Sequence, residues 1–593
     1  MSKPPLCKAR IGTPARCRCG RCPPYAWMPW AALLLAAVCG CPASNPQPAT
    51  EKSSLSQASA DGHVAESSDD RDESATVGTA STSDGAAERP KMSPHAERGN
   101  EGNRDESAET ATSASSDQLA AALGENSKAR RPAKLPPSEE TLFRNWPKPT
   151  LALVLTGEQL GYIEPCGCAG LENQKGGLRR RHTLLRQLRG KGWPVVALDN
   201  GGLIDRFGRE SEIKFEKTVE ALATSAPQGM GYAAIGFGGA DLKLPAGSIT
   251  AVLAGFETPE SNPFVSANVG VLGFDDSLSR RFAVVKAGEV ALGVTAVLGD
   301  SFRKQINNAD ISFLAADEGL REVYRELKAQ RCDRLVLLAH AEPKESAKLA
   351  EQFPGFDVVV TAGGADEPPH EPETLNGGKT LLIEVGHKGM YAVVLGFYDD
   401  ENTPPRYQRV PIDKRFADSP EMDQIMNAFQ SQLKDEGWQG LGLRRAAHHG
   451  GKFAGSQQCA ECHKEEFKIW KHSPHARATE TLTKAKPPRQ YDPECVSCHV
   501  TGWNPREYFP YTSGFDSLKT TPDLAGNGCE NCHGPAAAHV AAENDGGDEA
   551  LRAKLRLSIA DGKKAIVESC IQCHDQDNSI HFDFDDYWPK IEH

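Results

Sequence analysis

The chain has 593 residues, too many for one ordinary domain, and its formal net charge of −13 argues against nucleic acid as a partner. Hydrophobic residues make up 39% and the mean hydropathy is −0.48, low for a chain folded along its whole length. The 17 cysteines do not form a disulfide framework: eight lie in four repeated motifs, six lie at or before Cys41, and only Cys166, Cys168 and Cys332 remain.

The amino terminus carries Lys3, Lys8, Arg10, Arg16, Arg18 and Arg21, followed by the apolar run Trp30–Val38. That run has the length of a secretory h-region and is too short to span a bilayer. It ends in Val38-Cys39-Gly40-Cys41, which resembles the bacterial lipobox. The resemblance implies export, cleavage over residues 1–41 and lipidation of Cys41, hence a periplasmic lipoprotein held at the membrane. Cys39 stands where the lipobox has a small non-thiol residue, and ordinary cleavage to a soluble product is the alternative. Residues 42–147 are rich in Ser, Ala, Glu, Asp, Thr and Gly, with almost no aromatic residues until near Arg144. Too little apolar surface is present there to offset chain entropy, so a long disordered tether is expected.

Strand and helix patterns then alternate over residues 148–415. Strands are expected at Thr150–Gly157, Pro194–Gly202, Tyr232–Gly236, around Phe264–Asn268, and at Arg281–Ala287, Ala291–Val297, Arg334–His340, Asp357–Gly364, Lys379–Gly386 and Tyr391–Tyr398. Helices are expected at Gly176–Gly192, Ile213–Thr224, Ala316–Gln330 and Pro343–Gln352. The alternation predicts an α/β domain with a layered sheet core. The order of strand-end positions resembles the calcineurin-like metallophosphatases, in particular the amino-terminal domain of periplasmic 5′-nucleotidases. That resemblance implies two metal ions held from several strand ends. Here the motifs are degraded: Thr156-Gly157-Glu158 stands for Asp-x-His, Asp199-Asn200 for Gly-Asp, Gly238-Gly239 for Asn-His, and Gly364-Ala365-Asp366 for His-x-His. Only His340 stands on pattern. A phosphatase-like scaffold without phosphatase chemistry is therefore expected. The loop Glu164–Gly170 (EPCGCAG) brings Cys166 and Cys168 one residue apart. It reads either as a metal or redox site, an additional metal held with His340 or His387, or as a tight turn with two buried thiols.

Residues 416–452 form a linker with helical spacing at Met422, Ile425, Met426, Phe429 and Leu433. Residues 453–593 hold four CxxCH motifs: Cys459/Cys462/His463, Cys495/Cys498/His499, Cys529/Cys532/His533 and Cys570/Cys573/His574. Each reads as a c-type haem site, with two thiols for the porphyrin vinyl groups and a proximal histidine for the iron. Structural zinc is the competing reading, but motif starts lie 36, 34 and 41 residues apart, wider than ribbon spacing of about 15–20. Zinc also gives no reason for a histidine after every second cysteine. Four porphyrins would replace much of a side-chain core, giving a mainly α, loop-rich domain.

The segments Phe467–Ala478, Cys498–Trp503, Cys529–Val540 and Asp586–His593 resemble the tetrahaem cytochrome c family of nitrifying bacteria. The resemblance implies His475, His539 and His593, with His581 next, as distal ligands. It also allows one five-coordinate iron. An electron-transfer lipoprotein serving redox partner proteins is the leading expectation. The alternatives are a haem oxidoreductase acting on a small nitrogen or sulfur species, a metal-dependent phosphoesterase, or a binding module with accessory haems.

Overall fold

The computed structural model describes residues 142–165, 174–400 and 403–593. The expected signal peptide, Cys41 and nearly all of the expected tether lie outside the described residues, as do Cys166 and Cys168.

β1 (Leu151–Thr156) is apolar at five of six positions and buried along its length. Its alternating side chains serve two different cores. Leu151, Leu153 and Leu155 enter one cluster with Val294, Val336, Leu338 and Val360, while Ala152 and Val154 face a cluster containing Leu184, Leu185 and Leu188. A strand buried on both faces reads as a near-continuous apolar run, which is why this stretch stands out in the sequence.

The other strands are β2 (Val195–Asp199), β3 (Tyr232–Ile235), β4 (Val269–Val271), β5 (Ala283–Ala287), β6 (Val290–Leu298), β7 (Ile311–Phe313), β8 (Arg334–His340), β9 (Val358–Thr361), β10 (Glu373–Leu375), β11 (Thr380–Glu384), β12 (Tyr391–Phe397) and β13 (Arg406–Pro411). One sheet runs β13-β12-β1-β2-β3 and the second β10-β11-β9-β8-β6-β5, with β4 and β7 paired apart. The two sheets share the cluster between them. Helices α1 (Leu178–Gly190) and α2 (Arg209–Ala223) contribute to the core on the outer side of the first sheet. After the short α3 (Ala246–Leu253), α4 (Ala316–Ala329) and α5 (Pro343–Gln352) cover the second through Leu320, Val323, Leu327 and Leu349. The result is a layered α/β fold with helices on both outer faces.

Two expectations need correction, and one strand was not anticipated. Residues 264–268 form isolated bridges from Phe264 and Val265 rather than a strand, because Asn262, Ser266 and Asn268 divert their side chains to backbone groups. The second helix begins at Arg209, four residues before Ile213, on an acidic first turn. The carboxy-terminal edge strand β13 is largely half-buried and polar, and its residues carried no strand signal.

Helix α6 (Asp423–Gly440) buries Ile425, Met426, Phe429 and Leu433 and leads to the motif-bearing part. That part is mostly short helices and loops with a small side-chain core of Leu482, Val496, Val500, Trp503, Phe515 and Leu524. It belongs to the same compact unit as the α/β part. Among the described residues no helix is long and apolar enough to cross a membrane.

Candidate functional site: a carboxy-terminal haem centre

Each motif begins as one turn of helix. The amide of His463 donates to the Cys459 carbonyl at 2.9 Å, and that of His574 to the Cys570 carbonyl at 2.9 Å. Such a turn sets residues i, i+3 and i+4 on one face, so both thiols and the histidine look the same way. The second motif sits on the helix Pro493–His499, whose start Asp492 caps through the Glu494 amide with proline in the first turn.

The four motifs read alike in the sequence, and their thiols differ in exposure in the structure. Cys459 is half-buried, whereas Cys462 and His463 are exposed. The helix Ser456–Cys459 stops at the first thiol, and Cys462 falls in the turn that follows, its amide 3.3 Å from the Cys459 carbonyl; the fourth motif is built in the same way after the helix Ile559–Cys570. Cys462 and Cys532 are exposed, whereas Cys498 and Cys573 are half-buried.

The histidines that follow the thiols are oriented by their Nδ1 atoms. Nδ1 of His499 lies 2.8 Å from the Ala478 carbonyl, and Nδ1 of His533 lies 2.8 Å from the Leu555 carbonyl. A carbonyl only accepts, so Nδ1 carries the proton and Nε2 keeps its lone pair for a metal. His574 Nδ1 lies 3.1 Å from the Ser579 hydroxyl. Burial lowers the pKa of His499, His475 and His533 and brings His574 down to about 4, which keeps these rings in the neutral, ligating form.

Three motif histidines face a second imidazole. Ring centres are 6.4 Å apart for His463 and His539, 6.1 Å for His574 and His475, and 5.8 Å for His533 and His593. With metal–nitrogen bonds of about 2.0 Å, two imidazoles on opposite sides of one ion have their centres roughly 6 Å apart. His539, His475 and His593 are the distal ligands implied by the sequence resemblance. The pairs join different motifs to distant segments, so spacing alone could not have matched them. His581 is exposed and lies outside the three pairs.

The motifs also meet one another. The Cys459 and Cys529 thiols are neighbours, and their interaction pushes the first up and brings the second down to about 7. Cys532 is exposed on the wall of a cavity, and its thiol is pushed up to about 12 by the protein around it, with the Cys570 and Cys529 thiols adding to the shift. The second and fourth motifs open into the same cavity, of ≈ 1320 Å³, that Cys495, Cys498, His499, Cys570, Cys573 and His574 help to line. That exceeds the ~300–1,000 Å³ of a pocket for one small molecule. The size of the cavity and the ring spacings fit haem.

Residues 458–534 match the cytochrome c554 and c-prime family. This part of the chain is a c-type cytochrome domain, and the cytochrome c554 match spans the first three motifs. The chain is 36% identical over 96 residues to cytochrome c-554 of Nitrosomonas europaea, an overlap of 14% of this chain and 38% of that protein. The α/β part is similar to a 5′-nucleotidase precursor of Thermus thermophilus, at 20% identity and TM-score 0.41, covering 48% of this chain and 59% of that one. It is similar as well to the calcineurin-like phosphoesterase YfkN of Bacillus subtilis, at 18% identity and TM-score 0.36, covering 48% and 97%. Neither likeness carries an activity to this chain.

The strand ends of the α/β part do not fit a dinuclear metal site. Asp199, fully buried, accepts from the Thr156 hydroxyl at 2.6 Å and the Gly201 amide at 2.9 Å, with the Arg181 guanidinium 3.8 Å away. Arg181 is itself fully buried and bonds Gln159. The guanidinium thus supplies the positive charge that a cation would bring. Asp241, which no sequence pattern singled out, is saturated by the amides of Gly202, Ile204 and Gly238 at 2.9, 3.1 and 2.8 Å. Gly239 and Gly364 offer no side chain. His340 is buried, with Nδ1 3.1 Å from the Asn200 carbonyl and Nε2 3.9 Å from Glu158.

The two parts meet through charge. Lys214 of α2 lies 3.0 Å from Glu210 and 2.6 Å from Glu494, the residue before Cys495. Ligand oxygens of Glu210, Asp492 and Glu494 converge within 4.8 Å, a spacing that would suit a cation. Lys214 already provides one. Glu164 pairs with Arg489, Lys388 with Asp577, and the Arg206 guanidinium lies 3.9 Å over the Tyr508 ring. Residues of both parts, among them Tyr162, Arg206 and Lys388, wall the large cavity.

Proposed function

We propose that this chain is an exported electron-transfer protein in which all four CxxCH motifs carry a covalent haem. Cys459/Cys462, Cys495/Cys498, Cys529/Cys532 and Cys570/Cys573 would supply the thioethers and His463, His499, His533 and His574 the proximal nitrogens. The observation that supports this best is the set of three imidazole pairs near 6 Å, His463–His539, His574–His475 and His533–His593. When bound, c-type haems supply one-electron iron couples. Two axial imidazoles hold an iron closed to substrate, the arrangement of a carrier. The neighbouring thiols of the first and third motifs, and the cavity common to the second and fourth, favour close packing of the porphyrins and hence electron passage between them.

The α/β domain serves in this reading as a non-catalytic platform. Its Asp199 and Asp241 are fully used by internal partners, and it forms one wall of the haem cavity. Lipidation at Cys41 and the tether beyond it would hold the molecule at the periplasmic face of a membrane, where redox partner proteins exchange electrons with it.

The test is an intact mass four haem masses above the apoprotein, together with ferric and ferrous spectra. At least three low-spin irons are expected. Stoichiometric zinc without haem would refute the assignment, and strong carbon monoxide binding at several irons would favour a haem enzyme over a carrier.

A further inference from the structure

The residue after the first cysteine is Ala460, Val496 and Ile571 in three of the motifs, and Glu530 in the third. The Glu530 side chain lies in a residue that is only 3% exposed. A carboxylate taken from water needs partners that replace it. Glu530 has three, all of them backbone amides from outside its own helix. Ala454 and Ala536 donate to one oxygen at 2.8 Å each, and Gly455 donates to the other at 2.7 Å. Bonds of this kind, to an acceptor that carries charge, are among the stronger ones a side chain makes.

Both sets of bonds lead to the first motif. Ala454 and Gly455 immediately precede the helix Ser456–Cys459, and Gly455 turns the chain there at φ 92°. The Ser456 hydroxyl accepts from the Cys529 amide at 3.2 Å, a second tie between the first and third motifs. On the other side, Ala536 caps the helix Ala537–Asn544, which carries His539, and His539 faces His463 of the first motif. The first amides of a helix have no acceptor within it. Here the Ala536 amide is taken by Glu530, and the Ala537 amide by the Lys452 carbonyl at 3.0 Å. One side chain thus holds the entry to the first motif and the start of the helix that bears the opposite imidazole.

We propose that Glu530 is a positioning residue for the iron of the first motif: from within the third motif it fixes the separation of His463 and His539 at which both rings reach one metal. It acts through the two backbone segments it joins and is not itself a ligand. The role rests on the haem reading of the motifs given above. Its effect falls on one iron, because the other proximal rings have ties of their own. Nδ1 of His533 lies 2.8 Å from the Leu555 carbonyl, that of His499 2.8 Å from the Ala478 carbonyl, and that of His574 3.1 Å from the Ser579 hydroxyl.

The experiment uses the haem-loaded full chain, with intact mass, ferric spectra and carbon monoxide titration of the ferrous form. Glu530→Ala should keep the haem count of the unaltered protein, turn one further iron high-spin and bind one more carbon monoxide per chain. His539→Ala should give the same change, and the double variant should add no second high-spin iron, since both substitutions act on one ligand. Glu530→Gln keeps the volume and one accepting oxygen, and should show the change in a fraction of the molecules; if the alanine variant does not mature, the same readout on this one decides. Irons that stay as they are in both Glu530 variants, with haem fully attached, would overturn the proposal and leave the haem reading standing. So would a double variant with more high-spin iron than His539→Ala. An unaltered chain without haem would end both.

Discussion

Glu210 sits in the first turn of α2 at the junction of the two parts, and its environment makes it a titrating group near neutrality. Burial is the largest cause, and Glu494 and Asp492 of the cytochrome domain add negative charge; Lys214 offsets only part of this, so the carboxyl is pushed up to about 7 from an ordinary 4.5. Asp492 and Asp205 are raised by burial in the same cluster. A carboxyl whose folded pKa is raised binds its proton more tightly in the folded state than in the unfolded one. Its stabilising contribution is therefore present below pH 4.5 and is lost as pH rises to about 7. At 1.36 kcal/mol per unit the loss is on the order of 3 kcal/mol, an upper bound because the group is coupled to its neighbours. Glu210→Gln removes this titration and leaves Lys214 paired with Glu494. Denaturant unfolding of the haem-loaded chain, followed by far-ultraviolet circular dichroism between pH 5 and 7, should give a stability that falls with pH. The variant should show a shallower fall. Equal slopes in the two proteins would refute the electrostatic account of this junction.

His593→Ala should convert one iron, that of the third motif, from low-spin to high-spin and let it bind carbon monoxide when ferrous; an unchanged spectrum would remove His593 from the ligand set. Because the ring of His593 is exposed and its Nδ1 lies 2.8 Å from the nearby Ile591 carbonyl, global stability should change by less than about 1 kcal/mol. Arg181→Met leaves Asp199 buried without its cationic neighbour, and should cost about 3–5 kcal/mol in thermal or denaturant unfolding. The α/β domain should not turn over phosphomonoesters or nucleotides with added divalent metal; metal-dependent hydrolysis that His340→Ala abolishes would contradict the platform role.

The elements easiest to read in the sequence were those with a single dominant requirement. Arg334–His340 and Pro343–Gln352 fall where expected because one is a continuous buried apolar run and the other opens on proline. The CxxCH motifs were legible for a related reason: one helical turn contains their whole geometry. Their unequal burial, with Cys462 and Cys532 exposed and Cys498 and Cys573 half-buried, was not legible, since the motif itself is the same in all four. Residues 406–411 escaped notice because an edge strand that pairs on one side carries no continuous apolar signal. The distal histidines could be nominated only by family resemblance. Their pairing with particular motifs spans up to 99 residues, from His475 to His574, and depends on loops that carry no periodicity. His387 was read only as a companion to the cysteine loop, because nothing in its neighbourhood announces that it turns towards Glu158 across the sheet end. Asp241 gave no warning at all: three amides from a turn select that carboxylate, and such turns are visible only once folded.

The guanidinium of Arg181 has a consequence for any attempt to build a two-ion centre into the α/β domain. Restoring ligands at the degraded strand ends, by Thr156→Asp, Glu158→His and Gly239→His together, would not by itself rebuild a two-ion centre. Asp199 would still face a fully buried cation 3.8 Å away, and an incoming metal would meet that fixed positive charge. Removing Arg181 first would strand Asp199 in the core at a cost of about 3–5 kcal/mol, a large share of the roughly 5–15 kcal/mol that holds an ordinary domain. A route that begins at Arg181 therefore passes through a weakened intermediate, and one that begins at the strand ends gains no two-ion centre until Arg181 is replaced. A stable chain that gains two tightly bound ions with Arg181 still in place would show that the path is open after all.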